Sequence, residues 1–135
     1  MGNWIPNDPT SFVSDVLKIS AAFTPPPPEG FISPMKWGVE SDIVERFGAA
    51  GVPAEKISMV KDLFSFTAAD KSPAGLIGIF RTFYGPTMNA FDAADKTGRT
   101  DELQDQLVAA AENHNTRMDG GVSIAATFMR VTVSV

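Results

Sequence analysis

Apolar residues recur along this chain with two different periods, and each period marks out its own elements. Phe12, Val13, Val16, Leu17, Ala21 and Phe23 fall at helical spacing. They follow Asp8-Pro9, where an acceptor side chain and then a proline predict a helix start. The stripe stops before Thr24 and Pro25 to Pro28, because four prolines in a row favour an extended spacer without internal hydrogen bonds. Val39, Ile43, Val44 and Phe47 predict a second helix, with Glu40, Asp42 and Glu45 on its wet side and Gly48 as its stop. Ser72-Pro73 opens a third, whose buried stripe is Leu76, Ile77, Phe80, Phe83 and Tyr84. Gly85-Pro86 breaks it and restarts a short helix bearing Met88, Phe91 and Ala94. Thr100, with Asp101 and Glu102 behind it, is the expected cap of a long helix carrying Leu103, Leu107, Val108, Ala110, Ala111 and His114.

The second period is two. Gly2 to Ile5 is a short extended segment cut off by Pro6. In Ile57 to Phe66, Ile57, Met59 and Leu63 share one face and Val60, Phe64 and Phe66 the other, which predicts a strand covered on both sides. Val122 to Val135 is β-branched and closes the chain as a strand after the turn Asp119-Gly120-Gly121. Thr24 to Gly38 has neither period; Phe31, Ile32, Met35 and Trp37 within it predict a traverse lying against an apolar face. The expected fold is α/β, in an α+β-like form: one domain over residues 1–135, with about five helices and no internal repeat.

Composition narrows what such a domain can do. For 135 residues, area scaling gives roughly 21,000 Å² unfolded and about 7,000 Å² folded, enough burial for a core without staples. With no cysteine, a disulfide framework, a thiolate metal site and a cysteine nucleophile are excluded, and one histidine excludes a multi-histidine centre. Net charge is −5 with scattered basic residues, which argues against nucleic acid as the ligand. No apolar run is long enough for a bilayer and no leader pattern opens the chain, so the cytoplasm is the expected compartment.

Fingerprints for phosphate and dinucleotide binding are absent: Gly48-x-x-Gly51 and Gly75-x-x-Gly78 have the wrong spacing and place. His114, beside Asn113, Asn115 and Arg117, offers a general base, although a half-packed histidine at a helix end is the commoner reading of that position. Asp92, Asp95, Asp101, Glu102 and Asp105 read as a solvated acidic face. The aromatic set is the candidate binding site. Phe80, Phe83 and Tyr84, with Trp37 elsewhere, would wall an apolar pocket, and Arg81 and Asn89 would stand beside the phenol as polar groups. Core packing is the competing explanation for the same rings.

Three stretches carry a family resemblance. They are Asn3-Trp4-Ile5-Pro6, the proline run followed by Ser33-Pro34-Met35-Lys36-Trp37-Gly38, and Phe80-Arg81-Thr82-Phe83-Tyr84-Gly85-Pro86-Thr87. Together they resemble the C-terminal part of class I S-adenosylmethionine-dependent methyltransferases, most of all the ubiquinone/menaquinone-biosynthesis type, over nearly the whole chain. The resemblance implies that Gly2–Ile5, Ile57–Phe66 and Val122–Val135 are the fifth, sixth and seventh strands of that fold. The last strand would then lie between the other two, antiparallel to both. The family's glycine-rich loop and acidic ribose-binding residue belong to an N-terminal half with no counterpart here, so no cofactor-binding residue carries over. The chain is then expected to be inactive alone, and either to bind a small apolar molecule or to complete a split methyltransferase. Its partner would be a second copy of itself or a separate cofactor-binding subunit, because Gly2–Ile5 would otherwise keep a bare edge. The alternative is a structural or interaction module that homodimerises and binds no ligand, its aromatic residues all core. A self-sufficient methyltransferase is the least favoured reading, for want of the cofactor loop.

Overall fold

The last strand organises the molecule. In the computed structural model, which describes residues 1–135, β1 (Gly2–Trp4), β2 (Ile57–Ala68) and β3 (Val122–Val133) form one sheet of order β1-β3-β2. β3 is antiparallel to both neighbours, with Trp4 opposite Phe128 and the whole of β2 paired from Ile57–Val133 to Ala68–Val122. Five helices surround it: α1 (Phe12–Phe23), α2 (Glu40–Ala49), α3 (Pro73–Phe83), α4 (Gly85–Lys96) and α5 (Thr100–His114). This is the α+β architecture expected from the two periods. No helix is long and apolar enough to cross a membrane.

Side chains alternate between the two faces of a strand, so each face can be read from residue parity. Even-numbered Val122, Ile124 and Ala126 of β3 join Phe12, Val13 and Val16 of α1, Ile77 and Phe80 of α3, Phe91 of α4, and Leu103 and Leu107 of α5 in the main core. Odd-numbered Met129 and Val131, with Ile57, meet Ile43 of α2 in a smaller cluster, flanked by Trp37, Phe47 and Val52. The two covers lie over opposite ends of the sheet, one on each face. β2 is therefore covered only in part, and not on both sides as its pattern predicts: Val60 is 43% exposed, Leu63 56% and Phe64 49%. The accessible surface, 7990 Å², exceeds the roughly 7,000 Å² of a typical chain of this size, in keeping with that open face.

The segments on either side of α1 depart from their sequence patterns. α1 begins at Phe12 behind Ser11, not behind Asp8-Pro9, and Asp8 is drawn under the sheet instead. Asn7 makes this possible by taking the left-handed backbone region (φ 56°), which asparagine tolerates better than most residues. The traverse after the proline run packs by its second half only. Pro34–Gly38 forms a 3-10 turn with Trp37 against the smaller cluster, whereas Phe31 and Ile32 stay exposed. Gly38 is needed there, since a Cβ on it would lie 2.1 Å from the Trp4 carbonyl oxygen.

Candidate functional site: an aromatic shelf beside β1

The uncovered part of the even face holds a connected group of rings. Trp4 on β1 sits 6.4 Å from Phe64, 6.2 Å from Phe66 and 6.3 Å from Phe128 between ring centroids, with edge-on or tilted contacts. Sheet register explains the meeting. Trp4 faces Phe128 across one ladder, and Asp62 and Phe64 face Phe128 and Ala126 across the other. A small residue opposite Phe64 leaves its ring free to lean toward Trp4. Gly2, Asn3, Trp4, Phe64 and Phe128 line a shallow depression of about 230 Å³. The ring series runs inward through Phe66 to Phe80 (5.5 Å) and from Phe80 to Tyr84 (5.2 Å), so the shelf is the open end of the core.

Under the opposite face, the loop that leaves β1 builds a charged node. Asp8 accepts from the Thr10 backbone and hydroxyl and from the Thr127 hydroxyl, and pairs with Lys61 Nζ at 2.6 Å. The Lys61 ammonium leads in holding its carboxyl well below the usual carboxylate range, with Thr10 adding to it against the opposing effect of burial. Ser11 Oγ accepts from the Thr127 N–H, so its hydroxyl caps the sheet edge rather than the helix. These bonds fix where β1 ends.

The six residues expected to form a pocket are not brought to one place. Trp37 belongs to the odd face, under Arg46, while Phe80 is buried in the even-face core. Tyr84 packs on Phe80, and burial raises its phenol above the ordinary value, so it stays neutral near pH 7. Arg81 stacks over the Phe91 ring at 4.3 Å; Asn89 is exposed, and Phe83 is 79% exposed. His114 Nε2 lies 2.6 Å from Asp15 Oδ2 and its ring sits edge-on to Phe12; Asp15 and Asn113 help line a mixed groove of about 660 Å³ between α1 and α5. Asp92, Asp95, Asp101, Glu102 and Asp105 are all exposed, as a solvated acidic face requires. Sequence reasoning missed Asp8 and the shelf. The signal for the shelf was the shared parity of Val60, Phe64 and Phe66, once joined to Trp4 through Phe128.

No family model, curated protein or solved structure matches the chain.

Proposed function

We propose that this chain is the C-terminal, substrate-side part of a class I S-adenosylmethionine-dependent methyltransferase, and that it works when completed by a cofactor-binding half docked along β1. One observation carries the reading: the order β1-β3-β2, with β3 antiparallel to both neighbours, is the arrangement the resemblance implies for the last three strands of that fold. The aromatic shelf beside the Gly2 end of β1 lends support. Met1, Asn3 and Ile5 spend their backbone groups on β3, so Gly2 and Trp4 turn theirs outward, Gly2 beside an apolar depression open to water and the Trp4 carbonyl against Gly38.

The residues present do not fit the cofactor itself. After β1 the chain runs Pro6-Asn7-Asp8-Pro9, with no glycine to let backbone approach a nucleoside, and the Asp8 carboxylate is already taken by Lys61, Thr10 and Thr127. Cofactor binding is thereby assigned to the other half, and this chain contributes apolar surface. Calorimetry with S-adenosylmethionine is the test. The chain alone is expected to give no binding heat. Mixed with a glycine-rich cofactor-binding half, should the adjoining reading frame encode one, it is expected to restore methyl transfer from labelled S-adenosylmethionine. Tight binding by the chain alone, or an adjoining frame without such a half, overturns the reading.

A further inference from the structure

The outer edge of β2 is long and pairs with no other strand. In an antiparallel ladder each residue turns its N–H and C=O toward one neighbouring strand only, in alternation. The Ser134 N–H donates to the Lys56 carbonyl at 2.9 Å, and the pairing from Ile57 to Ala68 is unbroken. Ser58, Val60, Asp62, Phe64, Phe66 and Ala68 therefore spend their backbone groups on β3. Met59, Lys61, Leu63, Ser65 and Thr67 turn theirs outward. Leu63 shows this directly, since its N–H donates to the adjacent Asp62 Oδ1 at 2.9 Å, an exposed bond that pairing at Leu63 displaces. No proline or bulge guards this edge, and Val60, Leu63 and Phe64 are exposed along it. Such an edge is a template for another strand.

We infer that a second copy of this chain pairs antiparallel along β2, with Leu63 opposite Leu63 at the two-fold axis, joining two sheets into one of six strands. Backbone alternation requires the axis to pass through a residue, so the choices are few. An axis at Lys61 sets two ammonium groups opposite each other, and one at Asp62 sets two carboxylates; both are unfavourable cross-strand pairs. An axis at Phe64 shortens the overlap. With the axis at Leu63, residues 58–68 of the two copies overlap. Leucine meets leucine, Val60 meets Phe66, and Lys61 meets Ser65.

The flanks decide the occupant. Beyond the paired strands, the same register sets the Glu55-Lys56 turn before β2 beside the Asp70-Lys71 segment after β2 of the second copy, and symmetry repeats the meeting. Opposite signs thus stand at the two ends of β2 in the order that self-pairing needs, which favours a second copy over an unrelated strand. Self-pairing along β2 is independent of the proposed function, and it does not involve β1.

The chain has no cysteine, so single introduced cysteines read the register. In a hydrogen-bonded antiparallel pair the Cα atoms lie about 5.5 Å apart, within disulfide reach. Leu63→Cys is expected to cross-link under mild oxidation. Ser65→Cys, roughly 14 Å from its own counterpart, is expected not to. Leu63→Lys should weaken dimerisation by about tenfold or more in sedimentation, with circular dichroism unchanged because the site is on the surface. Monomer mass for the unaltered chain at millimolar concentration overturns the inference. So does cross-linking at residue 65 in preference to residue 63.

Discussion

Asp8 is only 8% exposed, yet four donor groups converge on it, and one of them is the charged end of a strand residue. A carboxylate so placed ties the β1–α1 loop to β2 and β3 at once. Because its folded pKa lies below its unfolded one, the stabilisation is fully present above about pH 4 and drains away as the pH falls toward the folded value. Asp8→Asn should cost about 2 kcal/mol at pH 7, in line with losing hydrogen bonds to a charged acceptor. The cost should shrink steadily below pH 4, where the unaltered protein loses the same advantage. Urea midpoints of both proteins across that range check this; a pH-independent gap would remove the carboxylate from the argument. Little of this node is legible in the sequence. Asp8-Pro9 has the local form of a helix start, and only tertiary contact with Lys61 and Thr127 decides that Ser11 precedes the helix instead. Thr100 departs from its pattern in a similar way. It is the first residue of α5 rather than its cap, and its hydroxyl donates to Asp95.

Elements are legible where a period is long or a cap explicit. Ser72-Pro73 opens α3 as its sequence predicts, with Ser72 Oγ accepting from the Gly75 N–H. α2 runs through Gly48 to Ala49, because Gly51, at φ 83°, is the residue that takes the left-handed turn. In β2 the alternation of apolar residues is real, but its meaning differs from the expected one. Hydrophobicity on both faces reads as burial on both sides, whereas an edge strand with half its length open carries the same pattern. The alternation of its backbone groups gives a sharper expectation. In dilute protein, the amides of Ser58, Val60, Phe64 and Phe66 should be protected from hydrogen exchange, and those of Met59, Lys61, Ser65 and Thr67 should exchange quickly. At concentrations where the chain pairs with itself, the second group should slow by at least about tenfold while the first hardly changes. A uniform rate along β2 would mean that the assignment of inward and outward groups is wrong.

For the whole molecule, strand order and sense agree with what the resemblance implies, while the placing of the covers cannot be read from a linear pattern. Trp37 and Phe80 illustrate why. Both are aromatic residues at helical or turn positions, and only the parity of the β3 residues they meet sends them to opposite faces. The resulting division is unequal. The main core holds sixteen buried residues from four helices and the sheet, and the second holds four, with Ile43 the one fully buried residue of α2. α2 is joined to the rest by the Pro34–Gly38 turn on one side and by Gly51-Val52-Pro53 on the other, and it packs on neither α1 nor α5, so it is expected to lift from the sheet without disturbing them. Its amides should therefore exchange through a partial opening of lower free energy and weaker urea dependence than global unfolding, while those of α1, α5 and β3 report the global value. Ile43→Ala, which removes the anchor of that cluster, should cost about 3 kcal/mol. Most of that loss should fall on the α2 amides, with protection of α5 reduced far less. If α2 and α5 instead lose protection together in this variant, the two clusters form one cooperative unit despite lying on opposite faces.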